Sequence, residues 1–176
     1  MENKKYQLAF VIGRFQTFHK GHASLVELCK EKANRVIVLV GSSQKSRLED
    51  NPFTFEERKE MIKKVFPDVD VISLIDIGAG NVPAWGEYML GEIDKHLHML
   101  PDLFISGNED KVDTWFSDER LKHMDVLKVD RGYIPISGTQ LRSLLIEDKK
   151  DEWFKYMPSQ LIEDYDKLRK ILLSIE

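Results

Sequence analysis

Five short apolar runs, Leu8–Ile12, Arg35–Val40, Val69–Ile77, Asp102–Ile105 and Asp125–Val129, are separated by segments whose apolar residues recur with helical spacing. Continuous β-branched runs suit strands covered on both faces, as in a parallel sheet, because a half-exposed strand alternates apolar with polar. One helical stripe runs through Leu25, Leu28, Cys29 and Ala33, and a second through Met61, Ile62, Val65 and Phe66. The second follows Thr54-Phe55-Glu56-Glu57, a capping box that marks a helix start. A third helix is predicted over Ala84–Leu100, stopped by Pro101. Leu141, Leu144 and Leu145 give another after Gly138. The stretch Pro158–Ile175 carries an apolar stripe that packs against the domain, a dimer seam being the alternative. Strand–helix alternation of this kind predicts an open α/β fold, a five-stranded parallel sheet with right-handed crossovers followed by C-terminal helices. Residues 1–176 read as a single domain, with a core over about 7–148 and a C-terminal helical segment over about 151–175. In such sheets ligands sit beyond the carboxyl ends of the strands.

Composition narrows the function. Hydrophobic residues make up 42% and charged residues 32%, which suits a folded globular chain and argues against disorder. With 26 basic against 30 acidic residues there is no charge excess to capture nucleic acid, so any phosphate must be held by a few placed groups. The single cysteine, Cys29, excludes a disulfide framework and a cysteine-based zinc cage. No apolar run reaches the roughly 20 residues of a membrane span. The polar start Met1–Gln7 has no secretory hydrophobic region, so a cytoplasmic location is expected.

The unusual residues fall after strands. Gly13 ends the first run, and Gly21 sits where a helix begins, with His19 and His22 three apart and able to face one side. A glycine there lets a bulky ligand approach, a helix N-terminus favours an anion, and two imidazoles donate to polyphosphate oxygens. The bland alternative is a surface pair or half of a metal site. Metal needs further ligands, and His96, His98 and His123 show no matching pattern, so no protein metal site is expected. A second element is Ser137-Gly138-Thr139-Gln140-Leu141-Arg142, where Ser137 or Gly138 caps a helix and Arg142 in its first turn leans back toward the same anion. A third, Ser106-Gly107-Asn108, leaves the fourth run. Read singly, these are an ordinary capped helix and a plain turn; together they mark a site. The G-x-x-x-x-G-K-[ST] loop and the G-x-G-x-x-G fingerprint are both missing, and no nucleophile motif is present, which excludes a P-loop kinase and argues against a dinucleotide oxidoreductase.

Gly13-Arg14-Phe15-Gln16 followed by Phe18-His19-Lys20-Gly21-His22 resembles the H-x-G-H signature of the nucleotidyltransferase superfamily. Its G-R-F-Q form is similar to nicotinamide-mononucleotide (NMN) adenylyltransferases. Gly41–Ser46, Asn51–Thr54 with Glu57-Arg58, and the two later motifs match the archaeal-type branch in order. The resemblance spans about Leu8 to Leu145, with Thr17 standing where the family usually has proline. It implies a Rossmann-like doubly wound fold and an adenylyltransferase that joins NMN and ATP into NAD and pyrophosphate, with Mg²⁺ carried on the phosphates. It implies catalytic roles for His19, His22 and Arg142. ATP contacts are implied for Gly13, Arg14, Phe15, His19, Gly21, His22, Ser106, Gly107, Asn108, Ser137, Gly138, Thr139 and Arg142. NMN contacts are implied for Phe15, Gln16, Arg47 and Trp85. The resemblance also allows a homo-oligomer. The alternatives are another H-x-G-H nucleotidyltransferase with a different phosphorylated substrate, or a non-catalytic nucleotide-sensing domain.

Overall fold

The strands are β1 (Tyr6–Gly13), β2 (Ala33–Val40), β3 (Asp70–Ser73), β4 (Leu103–Ser106) and β5 (Asp125–Lys128). They form one all-parallel sheet in the order β3-β2-β1-β4-β5. The computed structural model describes residues 3–107, 110–130 and 136–175. The helices are α1 (Lys20–Lys32), α2 (Phe55–Val65), α3 (Pro83–Leu97), α4 (Asp118–Leu121), α5 (Gly138–Ile146), α6 (Lys150–Tyr156) and α7 (Tyr165–Leu173). Two 3₁₀ turns, Asp110–Thr114 and Ser159–Asp164, complete the described elements.

Side-chain alternation along each central strand feeds two cores. Ala9 and Val11 of β1, with Val36, Val38 and Val40 of β2, bury against α1, α2 and the C-terminal helices. Leu8 and Phe10, with Ile37, Leu39 and Phe104, face α3 and the Trp115–Phe116 segment. Both faces are therefore covered, which is why the runs read as continuously apolar. The C-terminal stripe packs onto the first core: Leu161, Tyr165, Leu168 and Leu172 are buried there beside Trp153. Gly86 permits the close approach of α3, since a Cβ there would lie 1.9 Å from the Trp115 carbonyl oxygen.

Several element bounds differ from expectation for identifiable reasons. The run Val69–Ile77 yields a strand only to Ser73, because its neighbour among the described strands, β2, ends at Val40, which pairs with Ser73. Beyond Leu74, Ile75 and Ile77 are exposed. Helix α3 begins at Pro83, where the missing N–H costs nothing, and stops at Leu97 because His98 takes a left-handed φ of 55° and its N–H caps Asp94. The stripe over Pro158–Ile175 is carried by a 3₁₀ turn followed by α7. Thr54 caps α2 as the sequence predicts, with Glu57 N–H to Thr54 Oγ1 at 3.1 Å and Thr54 N–H to Glu57 Oε1 at 2.9 Å.

Candidate active site

Gly13, Val40, Ser73 and Ser106 end their strands on one edge of the sheet, and the loops leaving that edge build the site. After Gly13 the chain turns back sharply. Phe15 adopts a left-handed φ of 55° and tucks its ring under Gly13, where a Cβ would sit 2.9 Å from that ring. Gln16 is buried, and its carboxamide brackets the Phe53 backbone, donating to the carbonyl at 3.2 Å and accepting from the N–H at 2.9 Å. Thr17 is fully buried against Met157.

His19 then caps α1. Its Nδ1 accepts the Gly21 N–H at 3.0 Å, while His22 Nδ1 accepts the His19 N–H at 3.3 Å. The rings stack with centroids 3.7 Å apart, and Phe15 closes edge-on against His22. Because each Nδ1 receives a backbone proton, the neutral imidazoles carry their own proton on Nε2, which makes both donors on the opposite ring edge. Glycine at position 21 makes room for an imidazole, since a Cβ there would lie 2.8 Å from the His19 ring.

Across from the histidines, Ser137 caps α5 by accepting the Gln140 N–H at 3.2 Å. Gly138 allows this helix end to press on the first loop, since a Cβ there would lie 2.9 Å from the Gln16 carbonyl oxygen. Arg142 is the fifth residue of α5, beyond the first turn where the sequence placed it, but its side chain leans back. Its guanidinium donates to the Gln16 carbonyl and to Thr139 Oγ1. Burial pulls its pKa downward, with Arg14 adding repulsion and Asp50 and Glu49 opposing both. Arg14, Phe15, Gln16, His19, His22 and Ile136 through Thr139, with Arg142, line a cavity of about 320 Å³.

Two further cavities open on the same edge. The larger, about 500 Å³, lies between the exits of β1, β2 and β3 and is walled by Asp76 to Asn81, Trp85 and Trp115. Asp76 is held there by Ser42 Oγ at 3.0 Å and Gln44 Nε2 at 3.1 Å, and Trp115 Nε1 donates to Asn81 Oδ1 at 2.9 Å. The smaller, about 160 Å³, runs under His22 past Phe104, Ser106 and Gly107. Arg14 lines all three cavities.

Of the residues expected to touch ligand, His19, His22, Ser137, Gly138, Thr139 and Arg142 thus meet around one cavity, and Trp85 stands in another. Asn108 falls outside the described residues. Arg47 is committed elsewhere: its guanidinium forks onto Glu57 at 2.7 and 3.0 Å and bonds the Pro52 carbonyl at 2.8 Å. Gln16, through Phe53, is likewise a brace.

A cytidylyltransferase-like family model matches residues 10–144, and a nicotinamide-nucleotide adenylyltransferase of Methanolobus tindarius is 31% identical over 91% of this chain and 88% of its own. The chain belongs to this adenylyltransferase family. Its fold is also that of a bifunctional NMN adenylyltransferase/ADP ribose pyrophosphatase from Francisella tularensis, at a TM-score of 0.78 and 23% identity. That superposition covers 97% of this chain and 52% of the other, so the chain spans about half the length of that protein. The same Francisella protein in complex with AMP and a manganese ion matches at a TM-score of 0.75 and 23% identity over the same shares of the two chains. Within the family fold, sequence reasoning gave no site role to two residues here, Trp115 and the Arg58 of the Glu57-Arg58 segment. Trp115 walls two cavities, and its only sequence signal is an aromatic cluster after β4. Arg58 is wholly buried beneath the loops, its pKa drawn down to about 10 by desolvation and by the nearby Arg14 charge.

Proposed function

We propose that this protein transfers the adenylyl group of ATP to NMN, forming NAD and releasing pyrophosphate. The observation that carries this reading is the meeting of a donor-lined cavity and a larger aromatic-walled cavity at Arg14. The donor-lined cavity suits a triphosphate tail: it collects the Nε2–H edges of His19 and His22, the α5 N-terminus and the Arg142 guanidinium. The larger cavity suits NMN, with its ring against Trp85 and its phosphate toward Arg14. The slot past Ser106 and Gly107 takes the adenosine. Phe15 supports His22 from beneath, Gln16 lines the donor-lined cavity, and Arg47 braces the segment before α2 through Pro52 and Glu57.

A phosphate oxygen of NMN attacks the α-phosphorus, a new P–O bond forms, and the bond from the α-phosphorus to the bridging oxygen breaks. The electron pair leaves on pyrophosphate. The nucleophile is already anionic, so no general base is required. The side chains supply alignment and neutralise charge that builds on the leaving phosphates. Among the described residues no three His, Cys, Asp or Glu side chains converge. The groups around the tail are cations and donors, so a divalent ion fits as Mg²⁺ on ATP's own phosphate oxygens. A cytoplasmic enzyme fits this reading, and among the described residues no helix is long and apolar enough to cross a membrane.

The test mixes protein, Mg²⁺-ATP and NMN and follows NAD. Equimolar NAD and pyrophosphate are expected. No product with a nucleotide-dependent rise in melting temperature turns the reading into a nucleotide sensor. Turnover only with another phosphorylated acceptor keeps the transfer chemistry and replaces NMN.

A further inference from the structure

Arg58 is a full-length cation buried at 0% exposure on α2, with no carboxylate of the described residues bonded to its guanidinium. Its five N–H groups meet five backbone carbonyls. Nε donates to Thr54 at 3.2 Å. One terminal nitrogen donates to Arg14 at 3.0 Å and Gly41 at 2.9 Å. The other donates to Ser42 at 3.3 Å and Lys45 at 3.4 Å. A guanidinium offers five donors in a rigid fork, so every one is used.

These carbonyls belong to the two loops that carry the two substrate cavities. Turning the Arg14 carbonyl inward sends the Arg14 side chain outward, to the point where the three cavities meet. Holding Gly41 and Ser42 fixes a wall of the larger cavity, including Ser42 in its left-handed φ of 48° and the Oγ that anchors Asp76. Simple helix packing does not require an arginine here, since Met61 and Ile62 on the same helix supply the apolar contact.

We infer that Arg58 is a positioning residue that locks the phosphate-gripping loop to the NMN-cavity loop and so sets the distance between the two reacting phosphates. The inference rests on the adenylyl-transfer reading. Lysine keeps the charge but offers three donors, so at least two of the five carbonyls lose theirs. Misplacement of reacting groups by an ångström costs on the order of 10²-fold.

Arg58→Lys is therefore compared with Ile62→Val, a control for lost α2 packing, at a temperature where both remain folded. For Arg58→Lys the expected result is a fall in kcat of about 10²-fold with KM raised for both ATP and NMN, while Ile62→Val keeps wild-type constants. Guanidinium ion added to Arg58→Ala is expected to restore part of the lost turnover, which a merely structural loss would not allow. Constants within about threefold of wild type in folded Arg58→Lys overturn the inference. Should that variant not fold, wild-type constants in a folded Arg58→Gln overturn it equally. If the wild type makes no NAD, the adenylyl-transfer reading fails by itself. The positional claim is then decided by calorimetric Mg²⁺-ATP affinity, expected to weaken about tenfold in Arg58→Lys and contradicted by no change.

Discussion

The two walls of the site are built differently. Around the phosphate cavity each polar group is fixed by another: both Nδ1 atoms take backbone protons, Arg142 holds the Gln16 carbonyl, and Gln16 holds Phe53. The wall made by residues 76–82 is pinned at Asp76 and Asn81 but open between them. Gly78 and Gly80 take φ of 70° and 79° with nothing within 4 Å of a would-be Cβ, and Ile77 and Val82 are exposed. Transition-state charge is stabilised best by donors that need no reorganisation, which the first wall supplies. An entering substrate needs room, which the second leaves. On the proposed reading the phosphate side is preorganised, and the NMN side leaves room for its occupant.

The largest expected effect lies on the rigid wall. His22→Ala should lower kcat by roughly 10²–10³-fold, the usual scale for one electrostatic donor. Steady-state rates check it, and unchanged turnover would remove His22 from the grip. Next, Gly138→Ala should lower stability by about 1–3 kcal/mol, because its methyl meets the Gln16 carbonyl. Gly80→Ala should cost about 1–2 kcal/mol through left-handed strain alone and leave the ATP KM unchanged. Denaturant melts and kinetics compare the pair, and a raised ATP KM in both breaks the contrast between the walls. Trp85→Ala should raise the NMN KM about tenfold and the ATP KM by less than about twofold. Equal rises would merge the two cavities into one.

The smallest effect concerns acid. Burial pushes the Glu57 carboxyl upward, but Arg47 and the Thr54 N–H outweigh it and hold the value below its ordinary 4.5. A depressed carboxylate stabilises the fold fully above its unfolded value and loses that contribution as pH falls through the folded one. The melting temperature should therefore decline below about pH 4.5, and less steeply in Glu57→Gln. Parallel acid curves would exclude this pair as a source of stability.

Periodicity carried most of the fold. Five apolar runs became five parallel strands because burial on both faces leaves a continuous signal. Where the run outlasted its partner, at Ile75 and Ile77, hydrophobicity could not report that β2 had ended. Helix α6 falls inside the helical segment expected over 151–175, but its seven residues anchored on Trp153 show too little period to separate it from the 3₁₀ turn and α7 that follow. Histidine spacing and the Ser137–Arg142 motif pointed to one cavity because both sit at helix starts. The resemblance implied NMN contacts for Gln16 and Arg47, and what sequence could not show is that their side chains also brace Phe53 and Glu57. Arg58 stood in a matching segment but carried no assigned role, because a buried cation solvated by backbone carbonyls has no sequence partner to reveal what it holds.

The central claim is that the α-phosphorus moves to NMN. ATP labelled separately at the α- and γ-phosphorus, incubated with NMN and Mg²⁺, tests it most directly. The account predicts the α-label in NAD and the γ-label in pyrophosphate. A γ-label on the acceptor, or both labels remaining in bound ATP, would contradict it.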